Sequence, residues 1–109
     1  MPVYRSTHFT GLTALTVNIR KNITSPSFII QWNVVDDSLS TTYTVTWISE
    51  RDHLLHAATL IEQTSYTITG LTLDTVYTIT VTAANRCDTG PEFRTSVLLS
   101  AGLYHFHFF

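Results

Sequence analysis

The sequence predicts an all-β protein that folds as a sandwich of two antiparallel sheets. Apolar and polar residues alternate along most of the chain, which is typical of strands with one buried face. The alternating stretches are short, they recur at intervals of about 8–12 residues, and turn-forming residues separate them. No stretch shows a sustained helical stripe. The chain has 109 residues, which is enough for one domain with its own core.

The alternation assigns an inward face to each strand in turn. It is clearest in VYTITVTAA (76–84), where Thr78, Thr80 and Thr82 are predicted to point to solvent. LLHAATLI (54–61) also suits a helix, and we interpret it as a strand because strands surround it. The predicted inward groups are Leu15, Val17 and Ile19; Phe28, Ile30 and Trp32; Tyr43, Val45 and Trp47; Tyr66 and Ile68; and Tyr77, Ile79, Val81 and Ala83.

Composition excludes several classes of function. The net charge is −2 and the six basic residues are scattered, so we expect no nucleic-acid surface. No apolar run approaches the roughly 18 residues that span a bilayer, so we expect no membrane insertion. The N-terminus lacks the apolar stretch of a signal peptide, and a secreted parent would therefore make this chain a fragment. One cysteine, Cys87, allows no disulfide within the domain.

Three stretches resemble the fibronectin type III module. They are ITSPSFIIQW (23–32) with its tryptophan, YTVTW (43–47), and TSYTITGLTLDTVYTITVTAAN (64–85). In the last one, Leu71 and Tyr77 are spaced as in the family's tyrosine corner, where the phenol hydroxyl bonds to backbone a few residues upstream. The resemblance covers about residues 14–100. NIRKN (18–22) departs from it by lengthening the first connection, and the tail AGLYHFHFF lies outside it.

The resemblance implies an immunoglobulin-like sandwich of seven strands. We expect a linker over 1–13, the domain over 14–100 and an apolar tail over 101–109. Trp32 is expected at the core centre against Tyr77 and Ile79, with Tyr77 bonded to backbone between Leu71 and Leu73. The seven strands are predicted near 14–19, 27–34, 42–48, 54–60, 65–68, 76–84 and 93–99.

The loop between the last two strands is a candidate interaction site. In the family it can carry an Arg-Gly-Asp adhesion motif, and here the matching residues are Arg86, Cys87 and Asp88. The charges are present, but the glycine and its conformational freedom are not, which argues against integrin-type binding. We expect Cys87 to be a solvent-accessible thiol in the isolated chain, with a bond to a neighbouring module or a second chain as the alternatives.

Catalytic and metal-binding patterns are missing from the sequence. There is no Gly-rich phosphate loop and no GxSxG, and the aspartates fall mostly in predicted turns, so we expect no enzyme and no cofactor. The pairs His53/His56 and His105/His107 lack the further ligands of a zinc site. Asn22 opens an N-x-[ST] triplet and is a candidate glycosylation site if the protein is secreted.

The tail alternates Tyr104, Phe106 and Phe108 with histidines, which is a strand-like pattern. One reading is a cloning boundary or an alternative transcript end. The other is contact with a sheet edge or self-association through 101–109.

Three functions remain open. The first is a non-enzymatic interaction or spacer module of a larger cell-surface or extracellular-matrix protein. The second is an intracellular module of a muscle-type or scaffold protein. The third is an accessory domain of an enzyme with a carbohydrate-binding surface, for which Tyr4, Phe9 and Tyr104 are candidates.

Overall fold

The computed structural model describes residues 15–33, 41–85 and 89–100. These residues form seven strands in two antiparallel sheets, which confirms the predicted fold class, and they contain no helix. The stretch LLHAATLI, whose pattern also suited a helix, forms a strand over residues 55–61. The strands are β1 (Val17–Asn22), β2 (Ser27–Trp32), β3 (Thr42–Ser49), β4 (Leu55–Ile61), β5 (Ser65–Ile68), β6 (Thr75–Ala84) and β7 (Phe93–Leu99).

The two sheets divide the strands unevenly. One has three strands in the order β1-β2-β5, and the other has four in the order β4-β3-β6-β7. β2, β3 and β6 are therefore central, and the other four strands each form an edge. The predicted boundaries of β7 are those observed, and those of the other strands except β1 are within two residues.

The core lies between the inward faces of the sheets. Phe28, Ile30, Val45, Ile79, Val81 and Leu99 are completely buried. Trp32 and Tyr77 are buried at 6% and 5% exposure, and Leu71 is half-buried against the core. These side chains account for the alternation in β2, β3 and β6, because each inward group fills the space between the sheets.

The expected packing of Trp32 on Tyr77 is wrong. The Trp32 ring instead packs at a tilt on Tyr43, with centroids 5.2 Å apart, and Tyr77 meets the edge of Phe28 at 5.7 Å. The reason is the register, because Tyr43 lies opposite Ala83 on β6, six residues along that strand from Tyr77. The two tyrosines thus occupy opposite ends of the core.

The turn before β6 carries the tyrosine corner. The backbone N–H of Thr72 donates a hydrogen bond of 2.8 Å to the Tyr77 hydroxyl. Gly70 adopts φ +69°, a conformation that a Cβ disfavours, and the next N–H, that of Leu71, bonds to the Pro26 carbonyl at 3.2 Å. The corner therefore ties the crossing between the sheets to the β1–β2 turn.

The first strand was predicted three residues too early. NIRKN does not lengthen a connection, because it lies within β1, and the register continues to Asn22 opposite Ser27. The turn that follows spans only residues 23–26. From Arg20 to Asn22 this edge strand is exposed on both faces, so no alternation marks it in the sequence.

The threonine face does not meet water everywhere. Thr80, on the central strand β6, is only 8% exposed, and its hydroxyl is hydrogen-bonded to that of Thr46 on β3. Side chains on the flanking strands cover a central position more fully than an edge position. Threonine satisfies its polar group there through a neighbouring hydroxyl.

Candidate functional site

The predicted interaction site lies in the loop between β6 and β7, and the structure describes the residues on both sides of it. β6 ends at Ala84 and β7 begins at Phe93, as predicted. A bridge between Ala84 and Thr89, and a 2.8 Å bond from the Gly90 N–H to the Ala83 carbonyl, close the base of this hairpin. Residues 86–88, the predicted Arg-Cys-Asp site, lie outside the described residues. So do the candidates Tyr4 and Phe9, and the tail 101–109 with Tyr104.

Asn22 lies at the end of β1, on the surface. Its side-chain oxygen accepts hydrogen bonds from the backbone N–H groups of Thr24 at 3.0 Å and Ser25 at 3.3 Å. These bonds form an Asx turn, in which an asparagine side chain caps the backbone that follows it. The residue is exposed, so a glycan attached there would project away from the core.

The two described histidines do not form a metal site. His53 lies in the β3–β4 turn with φ +58°, and the His56 ring stacks on Trp47 with centroids 5.6 Å apart. Within 15–33, 41–85 and 89–100, no three His, Cys, Asp or Glu side chains are placed to share an ion. The stacking gives His56 a packing role beside the core.

Two surface cavities are too small to hold an ordinary ligand. One, of about 200 Å³, lies between the β3–β4 turn and the turn before β6, and its lining includes Trp47, Asp52 and Leu71. The other, of about 210 Å³, lies beside Trp32 and Gln31. Small-molecule sites occupy about 300–1,000 Å³. Neither of these two cavities therefore has the volume of an ordinary small-molecule site.

The four edge strands differ in their protection. An exposed edge presents unpaired backbone groups, which charged side chains or a short strand usually guard against pairing with another chain. β1 carries Arg20 and Lys21, β5 has only four residues, and Arg94 on β7 pairs with Glu92 at 3.3 Å. β4 has seven residues and no Asp, Glu, Lys or Arg.

β4 and the residue before it also expose large apolar side chains. Leu54, Leu55 and Leu60 are 58%, 63% and 75% exposed. Only Ile61, at the end of the strand, is buried. A single exposed leucine is unremarkable, but three along one unguarded edge make a candidate site of protein contact.

Leu60 occupies a strained position in this edge. The register passes from Val45↔Ala58 to Tyr43↔Ile61, so β4 contains one residue more than β3 over this stretch, which is a β-bulge. Leu60 takes φ +56° within the bulge. Glycine normally fills such a left-handed position, and a bulky side chain there costs about 1–3 kcal/mol. The fold thus holds an apolar side chain in solvent on a strained backbone.

A protein-family model matches most of this chain. The model of the fibronectin type III domain matches residues 8–97, most of the chain. The chain belongs to the fibronectin type III family. The match begins before residue 14, where we placed the start of the domain, and that boundary stays a prediction.

Solved structures share the fold of this fibronectin type III domain. A myokine structure matches with a TM-score of 0.67 at 17% identity, covering 81% of this chain and 97% of that one. A redesigned β-sandwich protein matches at 0.64 and 23% identity, covering 78% and 86%. The twitchin kinase region of C. elegans matches at 0.55 and 23% identity, covering 73% of this chain and 15% of that chain. No curated protein matches the sequence.

These likenesses show the fold, and the C. elegans chain shows that such domains occur as modules of larger proteins. In the part of the chain that the structure describes, no helix has the length and apolarity to cross a bilayer.

The sequence did not reveal the β4 edge as the candidate site of this fibronectin type III domain. LLHAATLI was ambiguous because alanine and leucine also suit a helix, and the structure shows that its three leucines are exposed and not part of the core. The sequence did carry one indication of this site, because the predicted strand LLHAATLI contains no Asp, Glu, Lys or Arg. The missing charges indicate a contact site only when β4 is known to be an edge strand, and the order of strands in the sheet decides that.

Proposed function

We propose that this fibronectin type III domain is a non-enzymatic protein-interaction module of a larger cell-surface or extracellular-matrix protein, and that it binds its partner through the β4 edge. Leu60 carries the proposal. Strained backbone positions persist where the surrounding structure or a function maintains them, and this strain holds a 75% exposed leucine at an unguarded edge. An apolar anchor beside free strand backbone suits a partner that adds an extended segment to the sheet.

The interaction is tested by photo-crosslinking from single positions on the intact chain. A photoreactive residue replaces Leu60 on β4 in one variant and Ser96, an exposed residue of the β7 edge, in the matched control. Both are incubated with membranes and extracellular medium from the source tissue. We expect a discrete crosslinked protein from position 60 and none from position 96. Equal labelling from both positions, or none from either, would contradict the assignment of the β4 edge.

The extracellular setting is supported by Asn22. Its exposed Asx turn at the end of β1 places the acceptor triplet where a glycan meets no core residue. The test is peptide mass spectrometry of the protein from its natural source. A glycan on Asn22 is expected. An unmodified Asn22 together with a reduced Cys87 in a cytosolic fraction would favour the intracellular alternative, a module of a muscle-type or scaffold protein.

A further inference from the structure

The outward face of the four-stranded sheet has two chemically different halves. The half nearer the β6–β7 loop is occupied by threonines, among them Thr44, Thr46 and Thr82. At the opposite end, each strand contributes one apolar residue, and we call these four the apolar band: Ile48 of β3, Leu55 of β4, Val76 of β6 and Leu98 of β7.

The register joins the apolar band diagonally, as two pairs of opposite residues. Leu55 lies opposite Ile48, and Val76 lies opposite Leu98. Ile48 lies opposite Thr78, the position two residues beyond Val76, which makes Val76 its diagonal neighbour. The band faces away from the core, because strand side chains alternate and the adjacent Ser49, Tyr77 and Leu99 are buried inside.

The apolar band is open to solvent in the described structure. Leu55 and Leu98, at its two ends, are 63% and 46% exposed, and Ile48 and Val76 between them are half-buried. It crosses four strands, a width of about 14 Å at the usual strand spacing. Apolar side chains grouped on an exposed sheet face form a candidate contact site.

The chain leaves the described fold beside this band. β7 ends at Leu99, opposite Thr75, and the Leu99 carbonyl accepts a hydrogen bond from the Asp74 N–H. Residues 101–109, AGLYHFHFF, follow after one further residue. They contain no Asp, Glu, Lys or Arg, and four of the nine are Tyr or Phe. Nine extended residues reach about 30 Å, roughly twice the width of the band.

We propose that residues 101–109 pack across the apolar band of the same molecule, on the face of the sheet and not along an edge. The aromatic side chains of the segment remove the four apolar residues of the band from water, and the segment brings no charged Asp, Glu, Lys or Arg side chain into the contact. Glu50, whose N–H bonds to the Val76 carbonyl, borders the band and is exposed, so its carboxylate stays in water. Covalent attachment a few residues away gives an effective concentration in the millimolar range, so a contact too weak for a separate peptide is populated in the intact chain.

The test compares methyl NMR spectra of the full chain with those of a chain that ends at Ser100. We expect truncation to shift the methyl signals of Ile48, Leu55, Val76 and Leu98, and to leave Val45 and Val81 in the core unchanged. In the full chain, the same four methyl groups should show NOEs to aromatic protons of Tyr104, Phe106 or Phe108. These signals should not change on dilution.

A charge variant with a matched control tests the location. Leu98→Lys, at an exposed position inside the band, should give the full chain the band spectrum of the truncated chain. Thr44→Lys adds the same charge to the threonine half of the same face and should leave the spectrum of the band unchanged. Both positions lie on the outward face, so neither change disturbs the core.

Three results would overturn the proposal. The first is that truncation shifts no methyl group of the band. The second is that it shifts the amide signals of an edge strand instead. The third is a dimer in sedimentation that dissociates on truncation, which would place the segment on a second copy. The β4 crosslink from position 60 is measured on the chain ending at Ser100 as well, so the two proposals fail independently.

Discussion

β4 and β6 flank the same strand, yet they contribute to the molecule in opposite ways. Both pair with β3 over most of its length. Six of the ten residues of β6 are buried, whereas one of the seven residues of β4 is. The difference arises from position, since β6 is central and β4 is an edge. Stability therefore resides in the centre of this sheet, while the exposed residues of β4 can vary at little cost to the fold.

Truncation of one side chain to alanine should lower the free energy of unfolding far more on β6 than on β4, and this is the largest effect that we expect. Ile79→Ala on β6 should lower the free energy of unfolding by about 2–5 kcal/mol, because it leaves a cavity at a completely buried position. In the chain that ends at Ser100, Leu55→Ala on β4 should change it by less than about 0.5 kcal/mol, since the side chain is mostly exposed there. Chemical denaturation of both variants measures the contrast, and equal losses would abolish it.

Removal of the Tyr77 hydroxyl tests the contribution of the tyrosine corner to stability. Tyr77→Phe should cost about 1 kcal/mol, because the Thr72 N–H loses its partner while the ring keeps its packing on Phe28. Tyr66→Phe is the control, since its hydroxyl has no hydrogen-bond partner among the described residues, and it should be nearly neutral. Thermal unfolding ranks the two variants. A Tyr77→Phe variant that is as stable as Tyr66→Phe would show that the corner bond contributes nothing.

Substitution by glycine should have different effects on stability at two sites on β4. Leu60→Gly should leave the domain as stable or more stable by about 0.5–1 kcal/mol, because the released backbone strain offsets the entropy that glycine loses on folding. Leu55→Gly, at an ordinary strand position, should destabilise it by about 0.5–1 kcal/mol. Loss of stability at both sites would mean that Leu60 is held for packing. A more stable Leu60→Gly that no longer binds its partner would support an interaction role.

The sequence was sufficient for those parts of the fold where burial is one-sided. β2, β3 and β6 alternate because one face of each fills the core, so Trp32 and Tyr77 were placed inside correctly. The partner of Trp32 was not predictable, because it depends on which residues of two separate sheets meet across the core. The end of β1, the bulge at Leu60 and the apolar band were missed for a related reason. An edge strand exposed on both faces gives no alternation, and sheet order assembles the band from four distant stretches.

The paths by which the chain enters and leaves the sandwich have a mechanical consequence. β1 starts opposite Trp32, at the end of the sandwich away from the tyrosine corner, and β7 ends opposite Thr75 at the corner end. Tension between these points would run along the length of both strands. β7 is joined to β6 by seven successive pairs, from Phe93 to Leu99. A pull along the strand loads these pairs together, in shear, instead of opening them one after another. Resistance to such a pull is governed by the unfolding rate and not by the free energy of unfolding. Substitutions that weaken the β6–β7 ladder should therefore lower the force at which the domain yields, even where equilibrium stability hardly changes.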